Sequence, residues 1–286
     1  MQLTHWDVAL VVVVSIMGTA IAYLRHPERK AFVLMLPVPF TLATLALGRP
    51  VDATNVLATG AYFVFTIGVW ALHVRLRWPI LSAISGSAFV YCAIGIVLAR
   101  LCPSGDATFW GVVGLMLVTA VALTRVLPYR AEPHHRTPLH VWIKLPAIAL
   151  VTVGIITIKQ SLGGFMTMFP MVGVVAAYEA RYSPWTNVRR IPWIILIMIP
   201  MMTQIRLTQS QLGLPAALAL AWPLFLVLLW LLRKHYGTQV GGRHASTATP
   251  DAESARANAD TASSRMMPTA LPSRWESSPD RQNSVP

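Results

Sequence analysis

Nine stretches of the chain lie near the ~20 residues that a helix needs to cross ~30 Å of hydrocarbon, and each is apolar all round rather than in alternation. They cover residues 7–24, 31–48, 53–74, 78–99, 107–127, 140–158, 164–180, 191–208 and 213–232. A membrane barrel strand would alternate apolar and polar residues, so the pattern predicts helices. Helices also satisfy every backbone polar group within one segment, as lipid requires. The expected fold class is therefore all-α, a polytopic transmembrane bundle of about nine helices. Composition agrees: 55% of the 286 residues are hydrophobic and 12% are charged, against ~25% charged in an ordinary soluble domain.

The basic residues give an independent test of the count. Residues 237–286 carry five arginines and five acids, so the formal net charge of +12 belongs to residues 1–236. There the bases alternate. Loops after odd-numbered segments hold Arg25, Arg29 and Lys30, then Arg75 and Arg77, then Arg125, Arg130 and Arg136, then Arg181, Arg189 and Arg190, and finally Arg233 and Lys234. Loops after even-numbered segments hold one base each: Arg49, Arg100, Lys159 and Arg206. The positive-inside rule then places the N-terminus outside and the C-terminus in the cytoplasm of a plasma membrane of bacterial inner-membrane type. Bases placed between apolar runs report topology, so nucleic acid is not an expected partner. The first segment is expected to be kept as a span, because its charges, RHPERK, follow the apolar run instead of preceding it. Two domains result: a transmembrane domain over 1–236 and a cytoplasmic tail over 237–286. The tail is rich in Ser, Ala, Thr and Pro and too poor in apolar surface to offset its ordering entropy, so disorder is expected.

An internal repeat is expected as well. AFVLMLPVPF (31–40) can be laid on GFMTMFPMVG (164–173), with Phe32 on Phe165, Met35 on Met168 and Pro37 on Pro170. RLRWP (75–79) resembles RLTQSQLGLP (206–215), and His5 corresponds to His140. Segments one to four thus echo six to nine, with the fifth as a connector. The offset of five is odd, so the second copy enters the membrane from the opposite face, which makes an inverted repeat. Segments two and seven are both short and both carry proline in their first half. Gly164 to Tyr178 spans roughly 22 Å as a helix. Pro37, Pro39 and Pro170 each remove a backbone donor and disturb the preceding turn. Such paired broken helices mark the central site of many transporters.

The residues expected along a substrate path are Lys144, Glu179, Pro37, Pro170, Thr167 and Gln204. Lys144, one turn inside the sixth segment, reads either as an amine reaching the headgroups or as a charge facing a polar cavity and paired with Glu179. Glu179 has a nearer partner in Arg181. Asp7, Asp52 and His73 read as boundary residues. The methionines of segments seven and eight, Met166, Met168, Met171, Met198, Met201 and Met202, read as adaptable packing rather than a soft-metal site, since no Cys or His joins them at depth. Small residues at Ser82, Gly86, Ala83 and Ser87, and at Gly173 and Ala177, have helix-contact spacing.

The chain contains no HExxH, GxSxG, Walker or post-strand GxGxxG motif. The expectation is no enzyme: no catalytic residues, no metal site and no cofactor. In LMLPVPF and MTMFPMV, the odd offset and the charge alternation, residues 5–232 resemble the architecture of the drug/metabolite transporter superfamily, whose four-helix repeats pair in opposed orientation. A lone connector helix departs from that family's commoner five-plus-five form, and no binding residue is carried over. The resemblance implies a secondary transporter or exporter of a small solute. The alternative is a non-transporting membrane protein, an assembly factor or sensor, acting through its cytoplasmic tail. Expected partners are the lipid bilayer, a small-molecule solute and, as an open option, a second copy of the chain in a homodimer.

Overall fold

The computed structural model describes residues 4–23, 35–103, 105–128, 141–179, 181 and 184–247, and side chains for all of these except 21–23, 141–144, 147 and 233–247. Two compact units are formed, Met1–Trp230 and Leu231–Pro286. Every element among the described residues is helical. In chain order they are α1 (His5–Tyr23), α2 (Val38–Leu47), α3 (Ala53–Trp70, extended by a π-helical turn over Ala71–Arg75), α4 (Ile80–Leu101) and α5 (Asp106–Val126). Next come α6 (Val141–Thr157), α7 (Lys159–Leu162, running into a 3-10 turn over Gly163–Met168), α8 (Met171–Glu179), α9 (Pro184–Leu212) and α10 (Leu214–Thr247).

Among the described residues, five helices are long and apolar enough to cross a bilayer: Ala53–Arg75, Ile80–Leu101, Asp106–Val126, Pro184–Leu212 and Leu214–Leu232. A sixth span results if Ile148–Thr157 and Lys159–Met168, which meet at a bend of 73°, are counted together. His5–Ala20 and Val38–Leu47 are apolar but shorter. Large apolar side chains such as Phe89 and Leu81 on α4, Val118 and Leu115 on α5, and Trp230 on α10 point out of the bundle. Water would penalise such a surface and lipid welcomes it. The protein is a helical membrane bundle.

Near its centre, α3 packs against α4, α5, α9 and the 3-10 turn, while α1 packs on α2 and α6. The helix starts follow from local sequence. Asp52 caps α3 by accepting from Thr54 N–H, and Asn55 returns the bond to the Asp52 N–H, a reciprocal box that satisfies two exposed donors. Gly48 ends α2 with φ +64, a left-handed cap that glycine adopts without strain. Between these caps Val51 is fully buried, and the Gln209 side chain serves it like a neighbouring peptide: Oε1 accepts from Val51 N–H at 2.8 Å and Nε2 donates to its carbonyl at 3.0 Å.

The contacts also sort the helix ends. The starts of α1, α3 and α5, the end of α2 and the end of α9 meet at one end of the bundle, through Asp7–Lys159, Lys159–Ala46, Val51–Gln209 and Asp106–Arg206. At the other end, Trp185 Nε1 donates to Pro128 O at 3.0 Å and its ring lies 4.9 Å from that of Trp70.

The seventh predicted segment differs most from expectation. Residues 164–179 form no continuous helix: the 3-10 turn stops at Met168, Phe169 and Pro170 belong to no helix, and α8 restarts at Met171. The second segment behaves alike in its described part, with a break at Leu36 and Pro37 before α2. Further on, α9 begins at Pro184 rather than 191 and accommodates Pro192 and Pro200 within one helix. Also, α10 continues to Thr247, past Gly237 where the disordered tail was expected to start, while 248–286 lie outside the described residues.

Candidate functional site: a cavity where two broken helices meet

The 3-10 turn Gly163–Met168 is apolar in sequence, yet lacks the regular bonds of an α-helix, so its backbone must be satisfied from outside. Two neighbours, Thr54 and Tyr91, do this directly, and Asn55 does so through the turn's own Thr167. Thr54 Oγ1 accepts from Gly164 N–H at 3.1 Å while donating to Asp52 Oδ1 at 2.5 Å. Asn55, whose Oδ1 completes the α3 cap, donates from Nδ2 to Thr167 Oγ1 at 3.0 Å, and Thr167 donates onward to Gly164 O at 2.7 Å. From α4, the fully buried Tyr91 hydroxyl donates to Phe165 O at 2.7 Å, its ring meeting Phe169 edge-on at 5.3 Å. This approach needs glycine at 164. A Cβ there would overlap Thr54 Oγ1 and stand 2.6 Å from the Asn55 backbone nitrogen.

Held in this way, the turn lies against α2. Pro37 and Pro170 consequently line one cavity of about 80 Å³, together with Met35, Phe40, Met168 and Met198. A water needs roughly 10–15 Å³ of such space, so several waters, or a solute of a few heavy atoms, would fit. A second cavity of about 30 Å³ lies by the start of α9, where Asn187 and Arg190 line it. Tyr62, Gly173 and Ile194 border both.

A charged pair sits beside the bend that produces the broken segment. Lys159, the first residue of α7, donates to Asp7 Oδ2 at 2.6 Å, to Asp7 Oδ1 at 2.8 Å and to Ala46 O at 3.3 Å, which uses all three ammonium donors. Its side chain is 10% exposed and that of Asp7 only 1%. Asp7 Oδ2 also accepts from Thr4 N–H at 2.8 Å and Thr4 Oγ1 at 2.9 Å. One ion pair thus ties the start of α1, the end of α2 and the bend after α6.

The predicted path residues divide accordingly. Pro37, Pro170 and Thr167 converge on the cavity. Gln204 is elsewhere, joining α9 to α10 by donating to Leu220 O at 3.3 Å. Glu179 is the half-buried last residue of α8, and the Arg181 guanidinium lies 4.9 Å over the Tyr178 ring. Lys144 belongs to α6, but its side chain lies outside the described residues, and with it the expected pairing to Glu179. Thr41, Thr44 and Thr66 donate to the carbonyls of Pro37, Phe40 and Tyr62 in their own preceding turns. Of the methionines, Met168, Met171 and Met198 line the cavity, whereas Met166, Met201 and Met202 are core.

Sequence reasoning missed Lys159 with Asp7, and Tyr91. Asp7 and Lys159 read as the ends of two segments, but the charge alternation already put those ends on the same face, which was the available clue. Compared with protein-family models, curated proteins and solved structures, the chain finds no match.

Proposed function

We propose that this membrane protein is a secondary transporter or exporter of a small solute. It is built from two inverted four-helix halves joined by α5, crosses the bilayer about nine times, and has its N-terminus outside. The observation that carries the reading is the shared cavity: two helices interrupted at proline, 133 residues apart in the alignment of Pro37 with Pro170, border the same space. Broken helices at matching places give a carrier a site whose backbone is free to rearrange as the halves rock. The likeness to drug/metabolite transporter architecture supports the same reading.

Uptake of a panel of small labelled solutes into proteoliposomes tests it. A carrier gives saturable uptake that Pro37→Ala with Pro170→Ala slows at least about tenfold, equivalent to ~1.4 kcal/mol on the limiting barrier. Glu179→Gln and Lys144→Met, measured alongside, decide whether those charges take part; unchanged flux removes both. Uptake that persists after deletion of 237–286 separates transport from a role exerted through the tail. Linear, unsaturable uptake identical to empty vesicles for every solute overturns the reading.

A further inference from the structure

Among the described residues, the lining of the shared cavity carries no charge. Its side chains are aliphatic, aromatic, thioether or proline, with hydroxyls from Tyr62 and Thr167 alone. The Thr167 hydroxyl is already engaged by Asn55 and the Gly164 carbonyl, which leaves that of Tyr62 to meet a ligand. A charged solute would lose its hydration here with no charged side chain among the described lining residues to offset it, at a cost of several kcal/mol per ion. An uncharged, mainly apolar one loses little and gains contacts with methionines, whose unbranched thioethers adapt to irregular shapes.

Tyr62 also lines both this cavity and the smaller one beside Asn187 and Arg190. It packs closely on α8 at Gly173, where an added Cβ would lie 2.8 Å from Pro170 Cβ, 3.3 Å from Tyr62 Oη and 3.5 Å from Tyr62 Cε2. We propose that the site accepts a small uncharged solute with an apolar body and one hydrogen-bonding group, and that the Tyr62 ring packed on Gly173 is the neck closing it from the smaller cavity at Arg190. The inference rests on the carrier reading and adds a substrate class and a gate to it.

Single-cysteine labelling tests both parts. In a Cys92→Ala, Cys102→Ala background, M198C places a thiol on the cavity wall, and M168C offers a second position if the first variant is not folded. Rates in proteoliposomes, each normalised to the reagent's rate with free 2-mercaptoethanol, are compared for four methanethiosulfonates. These are neutral methyl, neutral benzyl, cationic trimethylammonium-ethyl and anionic sulfonatoethyl. Both neutral reagents should react at least about thirty-fold faster than both charged ones, equivalent to ~2 kcal/mol of discrimination. Adding Tyr62→Ala should raise the methyl reagent's rate about tenfold.

Equal rates for charged and neutral reagents overturn the substrate class, and so does a benzyl rate as low as the charged ones, which would mean selection by size. No acceleration by Tyr62→Ala overturns the neck. The two levels fail separately: charge-blind labelling with saturable uptake of a charged solute leaves a carrier of another substrate class, whereas neutral-selective labelling without any saturable uptake leaves the cavity chemistry and removes transport.

Discussion

Lys159→Met should be the most damaging single substitution of a charged residue in the bundle, costing about 3–5 kcal/mol, because it strands the carboxylate of Asp7 in a site where its side chain is 1% exposed. Of the described residues, Thr4 alone would remain as donor to the two oxygens that now receive the ammonium at 2.8 and 2.6 Å. The Ala46 carbonyl would lose a partner too. For a domain of this size the loss corresponds to roughly 6–20 °C in Tm, measurable by thermal gel filtration of the detergent-solubilised protein. Asp7→Asn combined with Lys159→Met removes both charges and should recover much of the stability, since a buried pair costs more to break than to replace. A single variant that melts like wild type would show the pair to be hydrated and structurally idle. Recovery in the double variant without recovery of uptake would give the pair a further part in the rocking motion.

Gly164→Ala should do comparable harm for a steric reason. The new Cβ would meet Thr54 Oγ1, the Asn55 backbone nitrogen at 2.6 Å and Asn55 Cγ at 2.8 Å. Backbone at the capped start of α3 cannot yield as a flexible side-chain tip can, so the 3-10 turn must move away, taking Thr167 and the cavity wall with it. Overpacking of this kind costs typically 1–3 kcal/mol. Uptake should fall by more than stability alone explains. Gly111→Ala and Gly114→Ala on α5 are the controls, because an added Cβ meets nothing within 4 Å at either place. Alanine in a helix interior is better than glycine by ~0.5–1 kcal/mol, so these should be neutral or slightly stabilising. Similar melting curves for Gly164→Ala and Gly111→Ala would contradict the tight approach of the turn to α3.

The sequence makes the lipid-facing part of this fold readable because lipid selects on hydropathy, which is local. Predicted spans 53–74, 78–99 and 107–127 correspond to Ala53–Arg75, Ile80–Leu101 and Asp106–Val126, and the breaks fall at Pro37 and Pro170, where a missing N–H announces them. What hydropathy does not carry is the direction taken after a break. Lys159 follows α6, and on a straight helix it would reach the headgroups; the 73° bend turns it inward to Asp7, 152 residues away in sequence. Tyr91 is similarly silent in sequence, one aromatic among many, until Phe165 arrives with a carbonyl to satisfy. Gly164 reads as half of a Gly-Gly pair, and only the proximity of Thr54 and Asn55 shows why a side chain is excluded.

The inverted relation proposed for the two halves requires an odd number of crossings. Reporters whose activity depends on the face of the membrane, fused ahead of residue 1 and after Leu232, measure that parity directly. A carrier of this build puts them on opposite faces, the first reporter outside and the second in the cytoplasm. Both reporters active on one face would contradict it: Pro37 and Pro170 would then belong to halves inserted with the same polarity, and their meeting at one cavity would no longer describe a carrier.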